Sequence, residues 1–364
     1  MSRKVAVVGT GLIGGSIGLA VRAADPGTAV TGFDPDERSA AGALDRGALT
    51  AIATTAAEAV AGADLVILAL PVDRIPEMCD HLASHVPDDA VVTDVGSAKQ
   101  EVVRRGVAGF GPRFVGGHPM AGSERHGVEA ADADLFRESF WILTPTADTS
   151  SDAYGRVTEL VTSTGARPVA LQPDVHDALV AKLSHVPQLA ASTLVDTVVR
   201  SGPREALLGL AGAGFRDVTR IAASNPDLWV AIVRANTRAV LEGLRGLEGR
   251  LEDVAAMIED ERWAELRSFL AQARAARLEL FAKPEFGGEP LALSMVIPDH
   301  PGVLAEVTTA AGTLGVNIED LRIMHSTEGG RGRLELIVAG EDAARRLHRR
   351  LTNLGYHVEE RPID

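Results

Sequence analysis

Three short stretches of this chain carry residue types that could do chemistry together. The first is GGHPMAGSE at 116–124, where His118 stands among small residues and is held by the following Pro119. An imidazole with an ordinary pKa of about 6.5 can take up a proton near neutral pH. The second is DVGSAK at 94–99, which puts Ser97 between a strand and a helix. Ser97 and Gln100 have the spacing of a capping box, which would account for the serine by itself. A hydroxyl held at a strand end can serve a reaction as well. Lys99 reads as a solvated or phosphate-facing lysine. The third stretch is Gly9-Thr10-Gly11-Leu12-Ile13-Gly14, after a β-branched run and before an apolar helix. Gly9 permits the tight turn, Gly11 lets a pyrophosphate reach the backbone, and Gly14 lets helix pack on strand. Leu12 and Ile13 start the helix, whose free N–H groups suit phosphate. Asp34 ends the next strand, about 20 residues further on, where a carboxylate bonds ribose hydroxyls and repels a 2′-phosphate. NAD is therefore favoured, while Arg38 keeps NADP open.

Further candidates lie in the second half. An apolar helix over 175–199 carries His176, Lys182, Ser184, His185 and Gln188. Ser184 and Gln188 are i and i+4 and share a face, with His185 beside them. Pro187 should break the helical ladder locally, so that these polar groups face a cavity. In GAGFRDVTRI at 212–221, Arg220 stands between apolar neighbours and reads as buried, needing an anion. That anion is either Asp217 or a substrate carboxylate. Asn225 and Pro226 open a helix that carries Trp229. Cys79 is the single cysteine, which leaves no disulfide frame and no Cys-rich metal site and suits a reducing cytoplasm.

These residues need elements to hold them. Strands over 4–8, 29–33, 64–69, 90–94, 114–117, 141–144 and 167–170 alternate with helices over 12–21, 40–47, 75–85 and 153–165. That alternation makes an α/β fold with a doubly wound parallel sheet of Rossmann type, whose ligands sit at the carboxyl ends of the strands. From 173 the β signals stop and helix periodicity runs to about 283. Those helices carry more apolar surface than a small domain needs, which points to a homodimer through them. KPEFGGEP at 283–290 is a linker by composition. Beyond it the pattern is β-α-β-β-α-β, a ferredoxin-like module. The expected domains are 1–172, 173–283 and 290–364.

The bulk numbers agree. A chain of 364 residues accommodates two or three domains. Its formal net charge of −14, with no basic run, argues against nucleic acid as a partner. An anionic substrate would need a locally cationic site. The uncharged run 5–21 is rich in glycine and short of the roughly 20 apolar residues of a bilayer span, so no membrane segment is expected.

Taken in this order, GTGLIGGS, DVGSAK, GGHPMAGSE, SHVPQ at 184–188 and GFRDVTRIAASNPDLW at 214–229 resemble the prephenate/arogenate dehydrogenase family of tyrosine biosynthesis, over about 4–281. DHPGVL at 299–304 and GVNI at 315–318 resemble an ACT domain, a module that commonly binds amino acids and regulates an attached enzyme. The resemblance implies an NAD-dependent oxidative decarboxylation of prephenate or arogenate. It makes His118 the residue that bonds and helps deprotonate the ring hydroxyl, and Ser97 the residue that orients both. It makes Arg220 the anchor of a substrate carboxylate. Gly214 and Trp229 would line the pocket, and Ser184 and His185 would open an S-H-x-P-H pattern. Here the chain departs, since Gln188 replaces the second histidine where the substrate side chain is read. With no acid at that place, prephenate is favoured over arogenate. The ACT effector would be tyrosine or phenylalanine. Two remoter readings compete: a β-hydroxyacid dehydrogenase with Lys182 as its lysine, and a non-enzymatic regulator that binds NAD and an amino acid. Neither uses His118, Ser97 and Arg220 together.

Overall fold

The computed structural model describes residues 4–122, 127–202, 209–279, 290–298, 303–325 and 331–362. The chain divides into two units, Met1–Arg250 and Leu251–Asp364. In the first, β1 (Lys4–Val8), β2 (Ala29–Phe33), β3 (Ala51–Ile52), β4 (Leu65–Leu68), β5 (Val91–Asp94), β6 (Phe114–Pro119), β7 (Phe140–Thr144) and β8 (Arg167–Ala170) form one sheet. Its order is β3-β2-β1-β4-β5-β6-β7-β8. Helices α1 (Leu12–Ala24), α2 (Glu37–Asp45), α3 (Ala56–Val60), α4 (Ile75–Leu82), α5 (Gln100–Phe110) and α6 (Ser151–Ser163) connect the strands. The central strands are near-continuous Val, Leu and Ile because both faces are covered. Alternation along β1 sends Val5 and Val7 into one core and Ala6 and Val8 into the other.

The sheet is not parallel throughout, contrary to the expectation from strand–helix alternation. β6 and β7 pair antiparallel, whereas β1 to β6 and the β7–β8 pair are parallel. A parallel neighbour needs a crossover, usually a helix. The segment between β6 and β7 holds only the short turn Val128–Ala130 among its described residues. It returns over α1 and α2 instead of crossing the sheet. Asp132 N donates to Ser16 Oγ at 3.0 Å, and Arg46 donates to the Ala131 carbonyl at 2.7 Å.

After the sheet come α7 (Pro173–Val180), a π turn at Ala181–His185, α8 (Val186–Arg200), α9 (Ala213–Thr219), a 3-10 turn at Arg220–Ala223, α10 (Pro226–Ala235) and α11 (Thr237–Glu259). The expected single helix over 175–199 is thus two helices joined by a wide turn. Pro187 has no N–H to donate, and the π turn places it in the first turn of α8, where none is required. Among the described residues, no helix is long and apolar enough to cross a membrane.

The second unit contains α12 (Trp263–Glu279), then β9 (Pro290–Pro298), α13 (Val303–Thr313), β10 (Ile318–His325), β11 (Arg331–Ala339), α14 (Glu341–Asn353) and β12 (Val358–Pro362). The antiparallel sheet runs β10-β11-β9-β12. Leu293, Met295 and Ile297 alternate along β9 and bury against Val303 and Val307 of α13 and Leu347 and Leu351 of α14. The order β-α-β-β-α-β is as expected. The linker through 289, the DHPG turn at 299–302, and Ser123 and Glu124 lie outside the described residues.

Candidate active site

The glycine turn has the geometry that its spacing implied. Gly9 has φ +97°, and a Cβ there would lie 2.2 Å from the Ala69 carbonyl oxygen. A Cβ on Gly14 would lie 1.9 Å from the Gly9 oxygen, so helix and strand touch at that point. A Cβ on Gly11 would meet nothing within 4 Å, so this face of the turn is open. Helix α1 begins there with no acid in its first turn, and its free N–H groups make the opening attractive to an anion. Asp34 directly follows β2 and accepts from Thr10 N at 2.7 Å and from Asp36 N at 3.0 Å. The residues present fit a dinucleotide: the turn is open at Gly11, Leu12 and Ile13 stand on the first turn of α1, and the Asp34 carboxylate lies beside Thr10.

His118 lies at the carboxyl end of β6, one position beyond two glycines that the packing requires. A Cβ on Gly116 would lie 2.3 Å from Thr144 Oγ1, and one on Gly117 would lie 2.6 Å from the Asp94 carbonyl oxygen. The peptide groups of Gly117 are both engaged. Its N–H donates to Asp94 Oδ1 at 3.0 Å, and its carbonyl accepts from Lys99 Nζ at 2.7 Å. Lys99 also donates to Asp94 Oδ2, which accepts from Gly96 N at 2.7 Å as well. Lys99 and Asp94 are both fully buried, so the expected solvated lysine is instead an internal ion pair that ties the 94–99 loop to β6. Burial pushes the Lys99 pKa down, against the opposing pull of Asp94.

The ring of His118 is held from the other side. Its Nδ1 lies 2.8 Å from His176 Nε2, and His176 Nδ1 lies 2.8 Å from Asp177 Oδ1. Asp177 accepts in turn from Lys99 N at 2.6 Å and Gln100 N at 2.9 Å. The start of α5 is therefore capped by Asp177 of α7. The capping box of Ser97 with Gln100 does not form: the cap residue is Lys99, and no side chain of its own segment caps the helix. A carboxylate is the stronger acceptor for free helix N–H groups. Ser97 is half-buried in the loop just before. His118 is pushed well below the usual histidine range, first by burial and then by His176, Lys99 and His185.

A second group adjoins the first. Asn236 Nδ2 donates to the Asp177 carbonyl at 2.9 Å and stands 3.3 Å from His185 Nδ1. His185 meets the ring of Trp229 edge-on, centroids 5.9 Å apart. Burial brings the His185 pKa down to about 4, against the pull of Asp177. Gln188 is buried one turn further along, and Ser184 is half-buried on the π turn. Lys182 is exposed. Arg220 and Gly214 are exposed too, so the expectation of a buried Arg220 fails. Helix α9 and the 3-10 turn contain no buried residue, and Val218 of α9 is 62% exposed; among the described residues this face is left open. Asp94, Asp177 and Asn236 did not stand out in the sequence, His176 stood out only as one polar group of its helix, and Lys99 only as a solvated or phosphate-facing lysine. The signal available was an adjacent His-Asp pair on an apolar helix, and an acid and a lysine bracketing the Ser97 loop.

A glycine turn at the first strand, an acid at the second, and a histidine at the carboxyl end of the same sheet define a nicotinamide-dinucleotide-dependent dehydrogenase. Residues 17–170 match the family model described as prephenate dehydrogenase, nucleotide-binding domain, and residues 172–272 match prephenate dehydrogenase, dimerization domain. The chain belongs to the prephenate dehydrogenase family. It is 34% identical over 352 residues to a prephenate dehydrogenase of Bacillus subtilis, covering 95% of both chains. The solved prephenate dehydrogenase of A. aeolicus, in complex with hydroxyphenyl propionate and NAD+, matches with a TM-score of 0.73 and 32% identity, over 77% of this chain and 99% of that one. The arogenate dehydrogenase of Synechocystis matches with a TM-score of 0.68 and 27% identity, over 75% and 98%.

Proposed function

We propose that this protein oxidises and decarboxylates prephenate to 4-hydroxyphenylpyruvate with NAD, in tyrosine biosynthesis. The observation that carries the reading is His118: uncharged near neutral pH, at the carboxyl end of β6, and fixed through both its backbone neighbour and its ring. NAD, held by Gly9, Gly11, Leu12, Ile13, Gly14 and Asp34, supplies the hydride acceptor. His118 takes the proton of the ring hydroxyl, and Ser97 orients that hydroxyl. As the carbinol carbon becomes a carbonyl, the ring carboxylate leaves as carbon dioxide and its electron pair completes the aromatic ring. Arg220 anchors a substrate carboxylate, and Ser184, His185, Gln188, Gly214 and Trp229 line the pocket. Arogenate is the alternative substrate, favoured by the likeness to the Synechocystis enzyme; Gln188 can donate to a keto acid or accept from an ammonium group.

The same reading divides the chain into a dinucleotide domain at 1–172, a helical substrate and dimer domain at 173–283, and an ACT domain at 290–364 that responds to tyrosine or phenylalanine. A cytoplasmic homodimer formed through the helices accords with the description of the second family model and with Leu183, Val218 and Val230, which are apolar and well exposed. The test is NADH formation with prephenate and arogenate in parallel. His118→Asn should lower kcat by roughly 10²–10⁴, the range for a lost general base, with NAD affinity kept. Turnover of neither substrate by an NAD-binding protein would overturn the reading.

A further inference from the structure

We propose that His176 is a positioning residue that dictates which nitrogen of His118 carries the proton, and that Asp177 sets His176 in turn. The inference rests on the reading of His118 as the proton acceptor. It starts from the fixed end of the chain of contacts. Asp177 is buried, and its two carboxylate oxygens already accept two backbone N–H groups, from Lys99 and Gln100. Backbone amides only donate, so the carboxylate can only be the acceptor. His176 Nδ1, 2.8 Å from Asp177 Oδ1, is then the donor. His176 is fully buried, and with its ring hydrogen directed through Nδ1 at Asp177 its Nε2 offers a lone pair. His118 Nδ1, 2.8 Å from that lone pair, must donate to it. The consequence falls on the far nitrogen: His118 Nε2 has no hydrogen and is the atom that can accept a proton.

The arrangement also resists the opposite state. If His176 became cationic it would donate to His118 Nδ1 and put the hydrogen on Nε2, the wrong nitrogen for a base. Among the described residues, the groups whose charge acts on His118 are Lys99 from the loop before α5, His176 from α7 and His185 from the π turn, and all three disfavour added positive charge there. The backbone N–H groups at the start of α5 thus act on the reacting histidine through two side chains. Nothing in the sequence spacing couples residues 99 and 100 to 118 in this way; the fold does.

The experiment uses the full chain with ¹⁵N-labelled histidine. Nitrogen chemical shifts separate the two neutral tautomers, and His118→Asn identifies the His118 signals. The wild type should show His118 protonated on Nδ1. In His176→Gln the amide can still accept from His118 and donate to Asp177, so the tautomer should persist and kcat should stay within about tenfold. In His176→Leu the tautomer should become mixed and kcat should fall by roughly 10²-fold, within the span of a general base, with NAD affinity and KM little changed. Asp177→Asn, which leaves one acceptor oxygen for the three donors Lys99 N, Gln100 N and His176 Nδ1, offers an independent route should the leucine variant fail to fold. It should weaken the hold on His176, mix the two His118 tautomers and lower kcat as well. A wild-type His118 protonated on Nε2 would overturn the proposal. So would an unchanged tautomer and kcat in both His176→Leu and Asp177→Asn. The nitrogen shifts report on the pair whether or not the protein turns over prephenate, so failure of the catalytic reading and failure of this one give different results.

Discussion

Replacing Lys99 by methionine should weaken the fold and move the pH profile by separable amounts. The substitution keeps length and apolar volume and removes the ammonium group that stands between Asp94 and the Gly117 carbonyl. Breaking a buried ion pair by deleting one partner costs about 3–5 kcal/mol, because the other charge is stranded. Asp94 keeps two backbone donors, Gly96 N at 2.7 Å and Gly117 N at 3.0 Å. The lower end, about 3 kcal/mol, therefore applies. The Gly117 carbonyl loses its side-chain donor, for about 1 kcal/mol more. The sum, about 4 kcal/mol, is a large part of a typical stability of roughly 5–15 kcal/mol, yet should leave a folded protein.

Urea unfolding would measure this change, with the double variant Asp94→Asn/Lys99→Met as the reference. The neutral amide has no stranded charge, so the double variant should recover about 2 kcal/mol of the loss, a coupling expected only for groups in contact. The catalytic consequence has the opposite origin. The Lys99 ammonium helps to keep His118 uncharged. Without it the His118 pKa rises, and the acid limb of kcat/KM shifts to higher pH. A stability loss below about 1 kcal/mol would refute the account of the ion pair. An acid limb that stays put or moves down would refute its electrostatic role at His118.

Three other outcomes are expected. Gly117→Ala forces a Cβ to within 2.6 Å of the Asp94 carbonyl; this should cost about 1–3 kcal/mol of stability, read by thermal unfolding, and should lower kcat more than it changes NAD affinity. Acid should weaken the fold before most carboxylates titrate. His118 and His185 are depressed in the folded state, so the unfolded chain binds more protons below its ordinary histidine pKa of about 6.5. Stability should therefore be full above that pH and decline from there toward pH 4, with a falling urea midpoint as the measure. Removing residues 290–364 should leave prephenate turnover in place and abolish any response to tyrosine or phenylalanine, tested by NADH formation with and without each amino acid.

The sequence was informative where a single segment determines its own conformation. The glycines at 9, 11 and 14 are required by contacts within one strand-turn-helix unit, and their spacing announces it. The β-α-β-β-α-β order after residue 290 was legible as well, because each of its strands and helices is a short local run. The sequence was silent where two distant segments decide jointly. Ser97 and Gln100 have the spacing of a cap, yet Asp177 does the capping from 77 residues further along the chain. Lys99 reads as a solvated or phosphate-facing lysine by its type, yet it is fully buried against Asp94 and the Gly117 carbonyl of β6. Arg220 has apolar neighbours in sequence, yet its turn lies on an open face, because helix neighbours in sequence point in different directions.

The loop from Asp94 to Gln100 is where these lines meet. Its first residue and Lys99 side chain seize the peptide groups beside His118; its last two backbone N–H groups hold Asp177, and through His176 the ring of His118. One segment thus controls both the position and the orientation of the same imidazole. A displacement of that loop cannot move the backbone of His118 without also moving its ring partner. The two glycines before His118 admit this closeness, since a side chain at either would push β6 away from β5 or β7. The histidine was recognisable from the small residues around it because those residues are the imprint of the packing that holds it. The partners that orient it left no such imprint, since a histidine and an aspartate on a helix look alike whether they face water or a catalytic ring.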